Sequence, residues 1–178
     1  MKNICCIVNP VSGLKKSLKV YYEAKNLFEK SHFNTSLFVS EYPNHIKDYV
    51  SKIKKNRFDR IIVFGGDGSI NEVVNGLNDS NNLQSFKLGV IPTGSGNSVA
   101  HDTGLLDVKD AISKSLGDNI IKMDLNQVDF DSFSRLSVSV LGWGMFSYGN
   151  IRAEKLRLLG PIRYDVASII TLLEKKIH

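Results

Sequence analysis

The chain has 178 residues, of which 42% are hydrophobic and 23% are charged. This composition is typical of a folded globular protein and excludes a disordered chain, and the length allows one good domain and part of another. No apolar run is long enough to span a bilayer, since the longest, Val138 to Phe146, contains two glycines. The formal net charge of +5 favours anionic partners, which include phosphates, acidic lipid surfaces and nucleic acid.

Four short apolar runs predict strands, and the stretches between them predict helices. The expected strands are Ile4–Val8, Phe33–Val39, Ile61–Phe64 and Leu88–Ile91. The expected helices run from Lys16 to about Ser31, from about Asn44 to Lys55, from Ser69 onward, and from Leu105 to Leu116. Such alternation indicates an α/β layered sheet, which binds ligands at the carboxyl ends of its strands.

Side-chain patterns add two expectations about the core. The first helix should bury an apolar stripe made by Tyr21, Leu27 and Phe28. Cys5 and Cys6 are adjacent in the first strand, so their side chains should point to opposite faces as buried free thiols, which fits a reducing, cytoplasmic location.

The alternation of predicted strands and helices ends after Ile120. Two further strands are expected at 120–128 and 134–140, followed by helices at 152–159 and 164–176 with a Gly160-Pro161 break between them. We therefore predict an α/β domain at residues 1–128 and the beginning of a β-rich second domain at residues 129–178.

The central stretch, Ile61–Leu77, joins a buried strand to an amphipathic helix through Gly65-Gly66-Asp67-Gly68. Glycines let another molecule approach the backbone, and a helix start suits a phosphate. A carboxylate opposes a bound anion, so we interpret Asp67 as a chemical group, with a helix N-cap as the alternative. Glu72 follows Ser69 at the spacing of a capping box, which favours a structural role.

Two more glycine turns follow strands, at Asn9–Gly13 and at Gly94–Asn97. They complete neither the P-loop pattern nor the dinucleotide-binding pattern, and no nucleophile elbow is present. The scattered histidines predict no metal-ligand cluster. Lys15 and Lys16 could reach a phosphate, although lysines after a turn are usually solvated.

Three motifs, in this order, resemble the diacylglycerol kinase catalytic-domain family, which includes sphingosine and ceramide kinases and is distantly related to NAD kinases. They read NPVSG at Asn9–Gly13, GGDGSINEVVNGL at Gly65–Leu77 and GVIPTGSGN at Gly89–Asn97. Later segments, including EKLR at Glu154–Arg157 and LGPIRY at Leu159–Tyr164, look like the sphingosine and ceramide kinase branch. The resemblance implies that residues 1–128 are a three-layer Rossmann-like nucleotide-binding domain, as in NAD kinases and phosphofructokinases, and that residues 129–178 begin a lipid-binding β-sandwich. It also implies an ATP-dependent, Mg²⁺-requiring lipid kinase.

The resemblance also implies roles for individual residues. Asp67 would accept the proton of the lipid hydroxyl during phosphoryl transfer. The nucleotide would contact Asn9, Ser12, Gly13, Ser40, Gly66, Gly68, Gly94, Ser95, Gly96, Arg157 and Arg163. A plain loop serine is the alternative for Ser40, and a solvated helix face is the alternative for the two arginines.

The lipid would contact Asn150 and Glu154. The sequence departs from sphingosine kinases at Asn150, where they carry an aspartate that recognises the lipid head, and at Tyr148, where many relatives have another acid. Family members also continue well past the arginine segment into a β-sandwich that forms much of the lipid pocket. We expect a lipid kinase of the sphingosine type in peripheral contact with membranes. The alternatives are a ceramide or diacylglycerol kinase, and a non-catalytic nucleotide-binding fragment.

Overall fold

A four-stranded parallel sheet forms the centre of the computed structural model, which describes residues 2–174 except for the side chains of residues 157 and 161. Its strands are β1 (Lys2–Val8), β2 (Phe33–Val39), β3 (Arg60–Gly65) and β4 (Lys87–Pro92), in the spatial order β2-β1-β3-β4. All six residues of β3 and the last five of β1 are buried. Continuous apolar runs are typical of parallel strands covered on both faces.

The strand pairing aligns the carboxyl ends of all four strands. Val8 at the end of β1 pairs with Val39 on one side and with Phe64 on the other. Gly65 at the end of β3 pairs with Pro92 at the end of β4. The loops that follow the four strands therefore leave the sheet along one edge.

Helices cover both faces of the sheet. The helices are α1 (Ser17–Lys30), α2 (His45–Val50), α3 (Asp67–Asp79), α4 (Ser98–Asp102) and α5 (Val108–Leu116). One core contains Cys6 with residues of α1 and α5, and the other contains Cys5 with residues of α2, α3 and α4. The predicted three-layer α/β architecture and the opposite orientation of the two thiols are confirmed.

Several element boundaries and one buried position differ from the sequence-based expectation. The central helix α3 begins at Asp67 instead of Ser69. The helix expected from Leu105 begins at Val108, after Asp107 accepts a hydrogen bond as its N-cap. Leu27, which was predicted to be buried, is 50% exposed, and Ala24 is buried in the core instead. Tyr21, Ala24 and Phe28 have the spacing of one helix face, and Leu27 does not complete it.

A short hairpin of β5 (Asn126–Asp129) and β6 (Ser134–Ser137) completes the first part of the chain. The side chain of Asn75 in α3 holds it, because Nδ2 donates to the Leu136 carbonyl at 2.8 Å and Oδ1 accepts the Leu136 N–H at 3.0 Å. The strands are shorter than predicted, and the residues from 120 to 125 have no regular structure.

The chain divides into two compact units between Ser139 and Val140. The described residues of the second unit form α6 (Met145–Lys155), a 3-10 segment (Arg157–Ile162) and α7 (Arg163–Leu173). The expected β-rich beginning of a second domain is therefore not confirmed, and the proposed boundary at residue 128 stays a prediction. Among residues 2–174, no helix has both the length and the apolar character that crossing a membrane requires.

Candidate active site

The turn after β1 is tied to the start of α3 by Asn9. Its Nδ2 donates to the Ser69 Oγ at 3.1 Å, its Oδ1 accepts the Val11 N–H at 3.2 Å, and its own N–H donates to the Phe64 carbonyl at 3.1 Å. The Asn9 side chain thus connects two of the three glycine turns, while Ser12, in the same turn, donates from its Oγ to the Thr93 carbonyl at 3.3 Å.

Gly13 is required for two separate reasons. Its φ is +52°, in the left-handed region that glycine tolerates best. A Cβ at this position would lie 1.8 Å from the carbonyl oxygen of Thr93. The first glycine turn therefore packs directly on the backbone that leads into the third.

The other two glycine turns also contact each other. A Cβ on Gly94 would lie 2.5 Å from the Cα of Gly66, and one on Gly66 would lie 3.1 Å from the Cα of Gly94. The Thr93 N–H donates to the Gly65 carbonyl at 3.1 Å, one step before these glycines. Three turns that are far apart in the sequence therefore converge at one edge of the sheet.

Asn97 fixes the shape of the third turn. Its Oδ1 accepts the Gly94 N–H at 2.9 Å and its Nδ2 donates to the Gly94 carbonyl at 2.9 Å. Its φ of +57° places it in the left-handed region. Between these two residues, Ser95 is half-buried and Gly96 is exposed, so the tip of the turn stays accessible.

The half-buried carboxylate of Asp67 joins the second turn to the third. Oδ2 accepts the Ser98 N–H at 2.9 Å, and Oδ1 accepts the Val99 N–H at 3.0 Å. Asp67 does not cap its own helix, whose N-cap is Gly66, but its carboxylate caps the start of α4, so the N-cap alternative applies to a different helix from the one expected. A carboxylate offers about four acceptor sites in total, so these two bonds leave capacity for further donors.

Glu72 and Ser69 do not form the predicted capping box. The Oε2 of Glu72 accepts the N–H groups of Ile46 and Lys47 at 3.1 and 3.4 Å, so it caps α2 instead of its own helix. The Oγ of Ser69 accepts from Asn9, as described above. The expected structural role of Glu72 is real, but its target lies 26 residues away in the sequence.

Ser40 ends up beside the end of β1. It is buried, and its N–H donates to the Val8 carbonyl at 3.0 Å. Lys15 and Lys16 are exposed after the first turn.

One further contact between the first and third turns was not predicted from the sequence. The buried hydroxyls of Ser17 and Thr93 form a hydrogen bond of 2.8 Å, and no local pattern indicates a contact across 76 residues.

The remaining predicted site residues lie in the second unit. The Nη2 of Arg163 lies 3.3 Å from the Glu154 Oε1 and donates to the Tyr164 hydroxyl at 2.7 Å. Arg163 is buried, while Asn150 is exposed one helical turn before Glu154 on α6. The Arg157 side chain lies outside the described part of the structure. A predicted nucleotide contact and a predicted lipid contact thus pair with each other.

The converged turns suit a phosphate group. The first intrahelical hydrogen bonds of α3 run from Ser69 and Ile70 to the Gly66 carbonyl, so the N–H groups of Asp67 and Gly68 precede them at the positive end of a helix of 13 residues. A Cβ on Gly68 would have no neighbour within 4 Å, so there is space at this point. Within residues 2–174, no cluster of three or more histidine, cysteine or acidic side chains could hold a metal ion.

A parallel α/β sheet with glycine turns converging at its carboxyl edge defines the class of phosphate-binding α/β domains. A family model described as the diacylglycerol kinase catalytic domain matches residues 3–128. The chain belongs to this family.

Individual relatives agree with the family match. The chain is 32% identical to human ceramide kinase over 97% of its own length and 35% of that protein. It is 29% identical to sphingosine kinase 1 of Arabidopsis thaliana over 93% of its length and 36% of that protein. The chain therefore spans about a third of the length of these curated relatives. A diacylglycerol kinase structure from Bacillus anthracis shares the fold with a TM-score of 0.53, at 24% identity over 65% of this chain and 40% of that one.

Proposed function

We propose that the chain is the nucleotide-binding part of an ATP-dependent lipid kinase that phosphorylates a hydroxyl of a sphingoid base. The observation that carries the proposal is the contact of three glycine turns around Asp67, in a chain of the diacylglycerol kinase catalytic-domain family. The names of the relatives, ceramide kinase and sphingosine kinase, support the lipid class.

In this proposal the turns bind the nucleotide and Asp67 is the general base. Backbone N–H groups of the three turns bind the phosphates, with the Ser95 hydroxyl as a further donor. The Ser12 hydroxyl has one proton, which it donates to the Thr93 carbonyl, so Ser12 would have to turn away from that carbonyl to bind a phosphate. Bound ATP supplies the phosphoryl group that is transferred. Asp67 accepts the proton of the attacking hydroxyl through an acceptor site that the N–H groups of Ser98 and Val99 leave open.

Among the described residues, the Asp67 carboxylate at the converged turns is the group that could bind Mg²⁺. Mg²⁺ at kinase sites is commonly held by one or two carboxylates together with the substrate phosphates. Asp67 is the carboxylate at the converged turns, so it is the residue that would contribute to such a site. The contacts of Arg157 and Arg163 with the nucleotide, and of Asn150 and Glu154 with the lipid, belong to the same proposal, as do a cytoplasmic location and peripheral contact with membranes.

Transfer of radiolabelled phosphate from ATP to sphingosine, ceramide and diacylglycerol tests the substrate class. We expect labelled sphingosine. Label on ceramide or diacylglycerol alone would keep the kinase and change its substrate. ATP binding without transfer to any of the three lipids would favour the alternative of a non-catalytic nucleotide-binding fragment.

The role of Asp67 predicts that Asp67→Asn loses phosphoryl transfer. Loss of a general base typically lowers a rate by about 10²- to 10⁴-fold. The amide also turns an NH₂ group toward one of the two backbone N–H donors, so one hydrogen bond to α4 is lost as well. Initial rates of transfer, measured beside the equilibrium affinity for ATP, should show a large fall in the rate and a small change in the affinity.

Asn97→Gly is the matched control for Asp67→Asn. It removes both side-chain hydrogen bonds to Gly94 but keeps the carboxylate and a residue that tolerates the left-handed φ. We expect it to loosen the same turn and to retain measurable transfer. If Asn97→Gly and Asp67→Asn were equally inactive, the acid would serve only to hold the turn.

A further inference from the structure

Four aromatic rings form a ladder at the carboxyl end of β2, and the proposed reaction leaves them without a role. Phe38 stacks on Tyr49 with ring centroids 3.8 Å apart and planes inclined by 10°. The His45 ring meets Phe38 edge-on at 4.8 Å. Tyr42 stacks on His45 with centroids 4.2 Å apart and planes inclined by 8°. We call these four side chains the aromatic ladder, and Tyr42 is its outer member.

Tyr42 is held in place and yet open to solvent. The His45 Nδ1 accepts the Glu41 N–H at 3.1 Å, and the His45 N–H donates to the Tyr42 carbonyl at 3.2 Å. These bonds fix the ring on which Tyr42 stacks, while 53% of Tyr42 remains exposed. A ring that is ordered before binding loses little conformational entropy when a ligand stacks on it.

The aromatic ladder lies at the same edge of the sheet as the glycine turns. Ser40, two residues before Tyr42, donates its N–H to the Val8 carbonyl at the end of β1, and two residues span at most about 7 Å. The glycine turns follow β1, β3 and β4, and three strand spacings separate β2 from β4 by about 14 Å. An extended nucleoside triphosphate can bridge that distance.

We infer that the aromatic ladder is a stacking platform for the base of the nucleotide, with the outer face of Tyr42 against the purine ring. The inference rests on the proposed function, because it takes the phosphates to lie in the glycine turns. Stacking uses the π face that every base presents and not its hydrogen-bonding edge. The platform therefore holds ATP and GTP alike, and any preference between them comes from other residues.

Calorimetric titration of Tyr42→Ala with ATP and with tripolyphosphate tests the platform, because tripolyphosphate has the three phosphates of ATP without its ribose and base. Loss of one base–aromatic stack should weaken ATP binding by roughly tenfold. The affinity for tripolyphosphate should not change, and GTP should weaken as ATP does. Tyr42→Phe keeps the ring and should bind ATP as the unmodified chain does.

Two further variants keep the test interpretable. Tyr22→Ala removes a tyrosine of α1 that is 58% exposed and also packs against one ring, that of Tyr21 at 5.2 Å, and it should leave ATP binding unchanged. Tyr42→Leu keeps an apolar side chain against His45 without a π face, so it should lose ATP affinity while the loop stays ordered.

The possible outcomes separate this inference from the function on which it rests. ATP binding by Tyr42→Ala that equals that of the unmodified chain would overturn the platform, and so would an equal loss of tripolyphosphate binding. Failure of the unmodified chain to bind either ligand would contradict the proposed function itself.

Discussion

Gly68 is the one glycine of the central turn that the folded chain itself does not require. Gly66 and Gly94 are needed because a side chain on either would press on the backbone of the other. Gly68 is exposed, its φ lies outside the left-handed region, and a Cβ there would meet nothing within 4 Å. A position that has room for a methyl group and still carries glycine is what a closely approaching ligand would demand.

Gly68→Ala should therefore raise stability and lower ATP affinity. Alanine is favoured over glycine by about 0.5–1 kcal/mol inside a helix, and Gly68 is only the second residue of α3, so the free energy of unfolding in urea should rise slightly. A methyl group forced against a bound phosphate should cost about 1–3 kcal/mol, which weakens ATP binding by roughly tenfold or more. Urea unfolding and calorimetric titration with ATP measure the two effects.

Gly149→Ala is the control, since Gly149 lies inside α6 and also has open space around its Cα. It should gain stability in the same way and keep its affinity for ATP. Unchanged ATP binding by Gly68→Ala would mean that no ligand approaches this residue closely.

At the scale of single residues, the sequence identified the right side chains but not always their partners. Asp67 and Glu72 both stood out, and both were compared with caps of their own helix. Each carboxylate instead caps another helix, α4 for Asp67 and α2 for Glu72. Local spacing reports only contacts within a few residues, so a cap supplied across 26 or more residues leaves no local pattern.

At the scale of elements, the cap that Glu72 places on α2 should be measurable. Asn44 precedes this short helix with a φ of +66° and forms no side-chain cap. Glu72 accepts the N–H groups of Ile46 and Lys47, which a local N-cap would normally serve. Glu72→Ala should therefore lower the free energy of unfolding by about 0.5–2 kcal/mol and speed hydrogen exchange at these two amides.

Two further variants serve as comparisons for the stability loss of Glu72→Ala. Glu72→Gln keeps an acceptor oxygen and should recover part of the loss. Asp107→Ala removes the local cap of α5, where the Asp107 Oδ1 accepts the Asp110 N–H at 2.8 Å, and should cost a similar amount. Unaltered exchange at Ile46 and Lys47 in Glu72→Ala would show that α2 does not depend on this carboxylate.

The four strands of the sheet were predicted within one or two residues of their observed bounds, whereas the two strands of the hairpin were not. Buried apolar runs marked β1 and β3, and β2 was predicted equally well although Phe33 alone of its seven residues is buried. The strands expected at 120–128 and 134–140 are much shorter, since Ile120 and Ile121 are 62% and 70% exposed and have no sheet to join. Apolar composition alone does not supply a neighbouring strand.

At the scale of the whole molecule, the two buried thiols should make the free energy of unfolding depend on pH in the alkaline range. Cys5 and Cys6 are fully buried free thiols in the two cores on either side of the sheet. Burial raises the pKa of Cys5 to about 11 and raises the pKa of Cys6 further. In the unfolded chain both thiols titrate near a pKa of about 8.5.

The sign of the effect follows from proton binding. Above about pH 8.5 the unfolded chain loses these protons while the folded chain keeps them, so the free energy of unfolding falls as the pH rises. For Cys5 this loss should continue until the pH reaches about 11, with a limiting slope of about 1.4 kcal/mol per pH unit for each thiol. Urea unfolding between pH 8 and pH 10 measures it below the range in which Tyr49, whose pKa burial raises to about 12, contributes strongly.

The double variant Cys5→Ala/Cys6→Ala tests whether the thiols cause this decline. It also removes the contact of 3.7 Å between the Cys5 Sγ and the Tyr49 hydroxyl, whose pKa lies above the pH range of the measurement. It should be less stable at pH 8, because it removes buried atoms from both cores. Its stability should nevertheless decline more slowly between pH 8 and pH 10, so the two curves should converge. Parallel curves would mean that the thiols titrate alike in both states, which burial of both sulfur atoms does not allow. Because one thiol lies on each face of the sheet, a difference in slope that corresponds to two thiols would require both helical layers to stay closed over the sheet at pH 10.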